Sequence, residues 1–246
     1  MPELISFCLG RDDKGAYGWQ WLRKRYLSID LENLPEFEED KEEAPEFVSE
    51  EELDSYRYTH PYWSKRGITD ENIIELFDLG YSPKEKMITF PVRDVQGRCV
   101  FVAKRSIRTK FFTYPSGVKK PLYGLYELKV AFDNDSFEEL WVCESMIDCV
   151  LLWEFGYYAV ALNGLGNQLQ MKQLNELPCK TLILATDNDK AGLDARNKIK
   201  KAVHGKLIKE VHFPDDVKDI GELTDDELEH IEDWVSFGPK KILREF

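Results

Sequence analysis

From Glu139 onward, short apolar runs alternate with longer stretches in which apolar residues recur every three or four positions. "LWVCE" (140–144) reads as a buried strand and "MIDCVLLWEFG" (146–156) as an apolar helix stopped by Gly156. "YYAVAL" (157–162) is a strand, "NGLGN" (163–167) a loop, and "QLQMKQLNEL" (168–177) an amphipathic helix ended near Pro178. "TLILAT" (181–186), "KAGLDARNKIKKAV" (190–203) and "LIKEVHF" (207–213) continue as strand, helix and strand. This alternation predicts a parallel sheet covered by helices. Ligands of such sheets bind beyond the C-terminal strand ends.

The preceding stretch has another rhythm. "ITDENIIELFDLGY" (68–81) predicts a short helix capped by Thr69, with Asp70 and Glu71 in its first turn and Gly80 at its end. "MITFPV" (87–92) and "RCVFVAKRSI" (98–107) predict a hairpin turning at 94–97, and "KFFTYPSG" (110–117) adds a short strand and turn. Residues 31–52 combine Pro with dense acid and read as a solvated linker. The expected organisation is an N-terminal segment (1–30), an acidic linker (31–54), a basic α+β subdomain (55–136), the parallel-sheet domain (137–223) and a helical C-terminal segment (224–246).

Composition changes this picture in one place. The net charge of −13 over 246 residues argues against a nucleic-acid partner until its distribution is examined. Residues 32–52 carry eleven acids and one lysine, and the rest of the chain is close to neutral. Residues 56–129 hold fourteen Lys or Arg against seven Asp or Glu. Arg98, Lys104, Arg105, Arg108, Lys110, Lys119 and Lys120 follow one another with no acid between them, interleaved with Phe101, Phe111, Phe112 and Tyr114. A single-strand groove has this make-up; lysines and arginines that guard a sheet edge are the alternative. Most of the aromatics are expected in the core, with one or two free to stack on bases. No apolar run approaches the length of a membrane span and no secretory signal is expected. The five cysteines (8, 99, 143, 149, 179) form no CxxC pair, which argues against disulfides and an intact zinc site and fits a reducing cytoplasm. GxxxxGK[ST] is missing, so no fused helicase motor is expected.

The chemistry concentrates at strand ends. In "ILATDNDKAG" (183–192), Asp187 and Asp189 stand two apart at the mouth of an apolar strand. Two such charges at about 4 Å repel by roughly 4 kcal/mol, so a proton, a basic group, a helix N-terminus or a metal must offset them. Glu144 ends another strand, Asp148 lies one helical turn further, and Asp219 follows the last strand in "FPDDVKDIGEL". Oxygen donors without His or Cys suit Mg²⁺ or Mn²⁺ rather than zinc. Asp189 has an alternative use as the cap of the helix starting at Lys190. "NGLGN" could offer backbone N–H groups to phosphate.

A strand-end Glu followed by "DNDKAG" after another strand resembles the TOPRIM domain shared by DnaG-type primases, topoisomerases and some nucleases. "YWSKRGITDENIIELFDLGYSP", "ITFPVRDVQGRCVFVAKRSI", "KFFTYPSG" and "KPLYGLYEL" resemble, in that order, the basic subdomain ahead of TOPRIM in DnaG-type bacterial and phage primases. The resemblance spans about residues 56–222. It implies a TOPRIM-type, Rossmann-like parallel sheet with flanking helices, preceded by a smaller basic α+β subdomain. It also implies metal-dependent synthesis of RNA primers on single-stranded DNA. By position, Glu144 is the catalytic glutamate and a metal ligand, Asp187 and Asp189 are the metal pair, and Asp148 and Asp219 are further acids of the site. Arg105 and Lys110 match residues that meet phosphates. Two Mg²⁺ or Mn²⁺ ions, a single-stranded DNA template and ribonucleoside triphosphates are the implied ligands. A separate zinc-ribbon protein and a replicative helicase are the further expected partners.

Three positions depart from the pattern: Ser145 and Thr113 replace the usual Gly and Asn, and Gly221 stands where a second late acid is often found. "FCLGRDDKGAYGWQWL" (7–22) resembles the end of a zinc ribbon, with Cys8 on a strand, but lacks the other ligands. Two other functions keep the same acids or the same groove: a TOPRIM-type nuclease or strand-cleaving enzyme, and a non-catalytic single-strand-binding accessory protein.

Overall fold

The structure, a computed structural model, describes residues 2–8, 14–18, 20–21, 47–115, 117–132 and 137–237. It divides into two compact units, Met1–Pro45 and Glu46–Phe246. In the first, α1 (Pro2–Cys8) carries a buried Ser6 whose hydroxyl accepts the Gly18 N–H at 2.7 Å. Cys8 ends this helix and is exposed, which corrects the expectation of a ribbon strand there. Residues 31–46 of the expected linker lie outside the described residues. The end of that segment is not linker. Ser49 caps α2 (Glu50–Asp54) through the Glu52 N–H, and Leu53 is buried against Cys99 and Val102.

The second unit begins with an antiparallel sheet in the order β1 (Gly80–Ser82), β2 (Met87–Arg93), β3 (Cys99–Ser106), β4 (Phe112–Thr113). Two short helices precede it, α3 (Tyr62–Lys65) and α4 (Glu71–Leu76). The cap of α4 is Asp70, which accepts the Asn72 N–H, and not Thr69 as expected. Thr69 N–H, Thr69 O–H and Asp70 N–H instead donate to the carboxylate of Glu154, 2.7–2.9 Å away. The helix stops at Leu76, earlier than expected, and the chain reverses at Asp78 with φ 51°. Gly80 already belongs to β1.

After α5 (Leu125–Phe132) comes the sheet foreseen from the alternation. Its order is β6 (Ala159–Ala161), β5 (Phe137–Cys143), β7 (Cys179–Leu184), β8 (Leu207–Val211), β9 (Val235–Ser236). The first four strands are mutually parallel, joined by α6 (Met146–Glu154), α7 (Gln168–Glu176) and α8 (Lys190–Ala202). The C-terminal segment, expected as helical, forms α9 (Asp225–Glu229) and then β9, which adds antiparallel to β8. Beyond Phe237 the chain lies outside the described residues.

One core serves both sheets. Phe77 packs 5.4 Å from both Tyr123 and Trp153, and Trp63 packs edge-on to Phe90 at 5.3 Å. Phe77 and Trp63 are almost fully buried, each worth roughly 2–3 kcal/mol in transfer from water. Among the described residues no helix is long and apolar enough to cross a membrane.

Candidate active site and nucleic-acid interface

Parallel pairing sets the acids side by side. Val142 pairs with Leu184, and the Ala185 N–H donates to Val142 O, so β5 and β7 release Glu144 and Asp187 at the same sheet edge. The turn after β7 is braced from below. Buried Arg196 of α8 donates to Thr186 Oγ1 at 2.8 Å and Thr186 O at 2.6 Å. Gly192 permits the tight turn, since a Cβ there would meet Asp187 O at 2.0 Å. Asp189 does cap α8, accepting the Gly192 N–H at Oδ1.

A cleft of about 420 Å³ opens above this edge. Glu144, Asp148, Asp187 and Asp219 line it together with Arg66, Arg105, Lys110, Phe112 and Tyr114. Burial, reinforced by Asp187 and Asp189, pushes the Glu144 carboxyl up to about 7, and its Oε1 is buried without a partner. Burial and then Asp219 push Asp148 up to about 7 as well, against the hydrogen bond from Ser145 and the charge of Arg66. Asp219 is raised by burial and by Asp187. The capping N–H of Gly192, ahead of Lys218, holds Asp189 low.

Two departures from the family pattern acquire reasons here. Ser145 caps α6 and donates its hydroxyl to Asp148 Oδ2 at 2.7 Å, fixing that buried acid. At Gly221 a Cβ would lie 2.9 Å from Arg66 Nη2, 3.2 Å from Asp219 Oδ1 and 3.3 Å from Asp148 Oδ1. A second late acid there would have to push the end of Arg66 aside and would sit against two carboxylates.

The basic stretch does not form one surface. Alternation along β3 sends Lys104 and Arg105 to opposite faces. Arg105 and Lys110 line the cleft. Lys104 is paired with Glu85 and Tyr56, and Arg98 with Asp94, both away from the cleft lining. Lys120 lies 3.8 Å from the Tyr114 ring centre, while Arg108 and Lys119 fall outside the lining. Phe101 is core, Phe111 is exposed, and Phe112 and Tyr114 stack on one another at 5.9 Å in the cleft wall. Of "NGLGN", Asn163 and Gly164 reach the cleft. Asn167 instead caps α7 in a reciprocal pair with Gln170.

Sequence reading missed Arg66 and Lys218, and took Asn163 only as part of a backbone cradle in "NGLGN". Arg66 and Asn163 carry buried side-chain nitrogens without a partner, Nε and Nδ2. Lys218 Nζ lies 3.0 Å from Asp187 Oδ2 and 3.5 Å from Asp189 Oδ2. "VKD" in the last loop was the available signal for Lys218. Nothing in the local pattern marks Arg66, which reaches the site only through the packing of the sheets.

Among the described residues, no three acidic, His or Cys side chains converge as they stand into a metal cage. The donor set nevertheless fits a hard divalent cation. It is all oxygen, Glu144 Oε1 is buried and unpaired, and an ammonium already bridges Asp187 and Asp189. A second cavity of about 400 Å³, near α5 and Pro178, is mainly apolar in its lining, with Leu125, Leu128, Phe132 and Phe137.

Residues 141–224 match the Toprim-like family. Among curated proteins none matches the chain by sequence. Among solved structures, the chain is similar to the DnaG primase catalytic domain bound to single-stranded DNA, at 23% identity and a TM-score of 0.57, over 70% of this chain and 68% of that one. The Aquifex aeolicus primase, with zinc-binding and RNA polymerase domains, is similar at 21% identity and a TM-score of 0.59, over 96% and 70%. The primase fragment of the bacteriophage T7 primase-helicase protein follows at 16% identity and a TM-score of 0.54, over 78% and 79%. With a Toprim-like domain over residues 141–224 and an antiparallel sheet ahead of it, this chain has the fold of a DnaG-type primase catalytic core.

Proposed function

We propose that the chain is the catalytic core of a DNA primase, joining ribonucleotides on a single-stranded DNA template in the cytoplasm of a bacterial or phage-infected cell. One observation carries this reading: Glu144, Asp187 and Asp219 line one cleft together with Arg105, Lys110, Phe112 and Tyr114. Arg105 and Lys110 hold template or nucleotide phosphates, which positions the strand without reading its sequence. The Phe112 and Tyr114 rings supply an apolar flank on which bases can stack. Glu144 Oε1, with no partner of its own, accepts the hydrogen bond or proton of the attacking hydroxyl, or serves as a ligand. Asp187 and Asp189, with Glu144, would hold Mg²⁺ or Mn²⁺, which supplies charge neutralisation on the phosphate undergoing in-line displacement.

The test is incorporation of labelled ribonucleotides on a single-stranded template with Mg²⁺ or Mn²⁺. Glu144→Gln and Asp187→Asn should each lower it by roughly a hundredfold or more. Thermal melting of Glu144→Gln without metal should not fall, because the change removes one repelling charge. Full activity in either variant overturns the assignment, and cleavage of labelled DNA in place of incorporation makes the chain a nuclease. The same assay with and without a supplied primer tests the partner expectation. If a separate zinc-ribbon protein selects start sites, the chain alone extends primers readily and starts them poorly. Efficient site-selective starts by the chain alone exclude that partner.

A further inference from the structure

Lys218 is held in place by its backbone, and its side chain is half exposed. Its N–H donates to Glu222 Oε2 at 2.8 Å, and its C=O accepts the Asn188 N–H at 2.7 Å. The Asn188 side chain adds hydrogen bonds to Pro214 O and Val217 O, tying this loop to the turn between the two aspartates. The side chain itself is 47% exposed and spans Asp187 Oδ2 and Asp189 Oδ2. By contrast, Arg105, which lines the same cleft, is 9% exposed. Asp189 Oδ1 accepts the helix-cap N–H, and the oxygen without that bond, Oδ2, is the one facing Lys218. An ion held by the Oδ2 atoms of both aspartates contends with the ammonium for them, and a flexible four-carbon stem can yield at small cost.

We propose that Lys218 is an exchangeable counter-cation: its ammonium neutralises the Asp187–Asp189 pair in the metal-free protein and is displaced by the divalent ion. This rests on the carboxylates being the metal site of the proposed function. Lys218 thereby offsets the repulsion between the two like charges and sets the affinity at which metal enters.

The experiment is a Mn²⁺ titration of the full chain without template or nucleotide, following free Mn²⁺ by electron paramagnetic resonance. Lys218→Gln should bind Mn²⁺ roughly fivefold more tightly than wild type, the value of one half-exposed ion pair. Its melting temperature without metal should be lower and its gain on adding Mn²⁺ larger. Lys190→Gln removes the same charge beside Asp189, on an exposed side chain with no ion pair to these carboxylates among the described residues. It should change the affinity by less than about twofold. Unchanged or weaker binding by Lys218→Gln overturns the exchange, as does equal tightening by both variants. Asp187→Asn separates the two readings. If it loses Mn²⁺ while Lys218→Gln has no effect, only the exchange fails; if it binds like wild type, the metal assignment and the proposed function fail with it.

Discussion

Glu127, in the first turn of α5, is buried, and its Oε1 has no partner. Burial, reinforced by Asp78 and opposed by its own N–H and by Arg93, raises its carboxyl from 4.5 to about 7. The folded chain therefore holds a proton that the unfolded chain releases between these values. The resulting penalty is absent below pH 4.5, grows as the pH rises toward 7, and is complete above it. At full size it is roughly 3 kcal/mol. Glu127→Gln should accordingly raise the melting temperature clearly at pH 8 and little at pH 5. Equal shifts at both values would show that the carboxyl is ionised in the fold or that its burial is relieved by water. Ser145 and Gly221 make the same point from the other side: single residues that look like departures from a pattern are set by what touches them.

At the scale of elements, Glu154 does work that no helix rule assigns to it. It ends α6 in the parallel sheet's layer, yet its carboxylate takes the free N–H groups at the start of α4, eighty-five residues earlier in the case of Thr69. A capping carboxylate of this kind satisfies orphan donors and meets the positive end of the helix. Glu154→Ala should lower stability by about 1–2 kcal/mol in urea unfolding, with an unchanged slope. Glu154→Gln, which keeps one acceptor, should lose less. No change in the midpoint would show that water replaces the carboxylate at no cost.

Across the whole molecule, the net charge of −13 leaves Arg105 and Lys110 together in the lining of one cleft, the place where the proposed function seats a polyanion. Replacing both by Ala should weaken binding of any labelled single strand and lower the slope of log affinity against log salt by about 1.4, or 0.7 per lost contact. Lys104→Ala is the matched control: its charge is already committed to Glu85 on the other face of β3, and the slope should stay as in wild type. If Lys104→Ala lowers the slope and the cleft variant does not, the strand runs over the other face.

The parallel sheet was legible from the chain alone, because apolar period and Gly or Pro punctuation are local properties, and strand ends identify where acids collect. The family likeness singled out Glu144, Asp187 and Asp189 for the same reason: they sit in contiguous motifs. Helix α5 went unread because "GLYELKVAF" lacks an obvious cap. Helix α2 was lost inside an acidic run whose one anchoring residue, Leu53, is recognised only by what it packs against. Which basic residues reach the cleft was likewise beyond the sequence, since β3 turns neighbours to opposite faces and the pairing of sheets decides which face matters. Arg66 and Lys218 entered the site only with the tertiary structure. Their charges meet acids far along the chain, and a Coulomb interaction depends on distance in space, which sequence order does not supply.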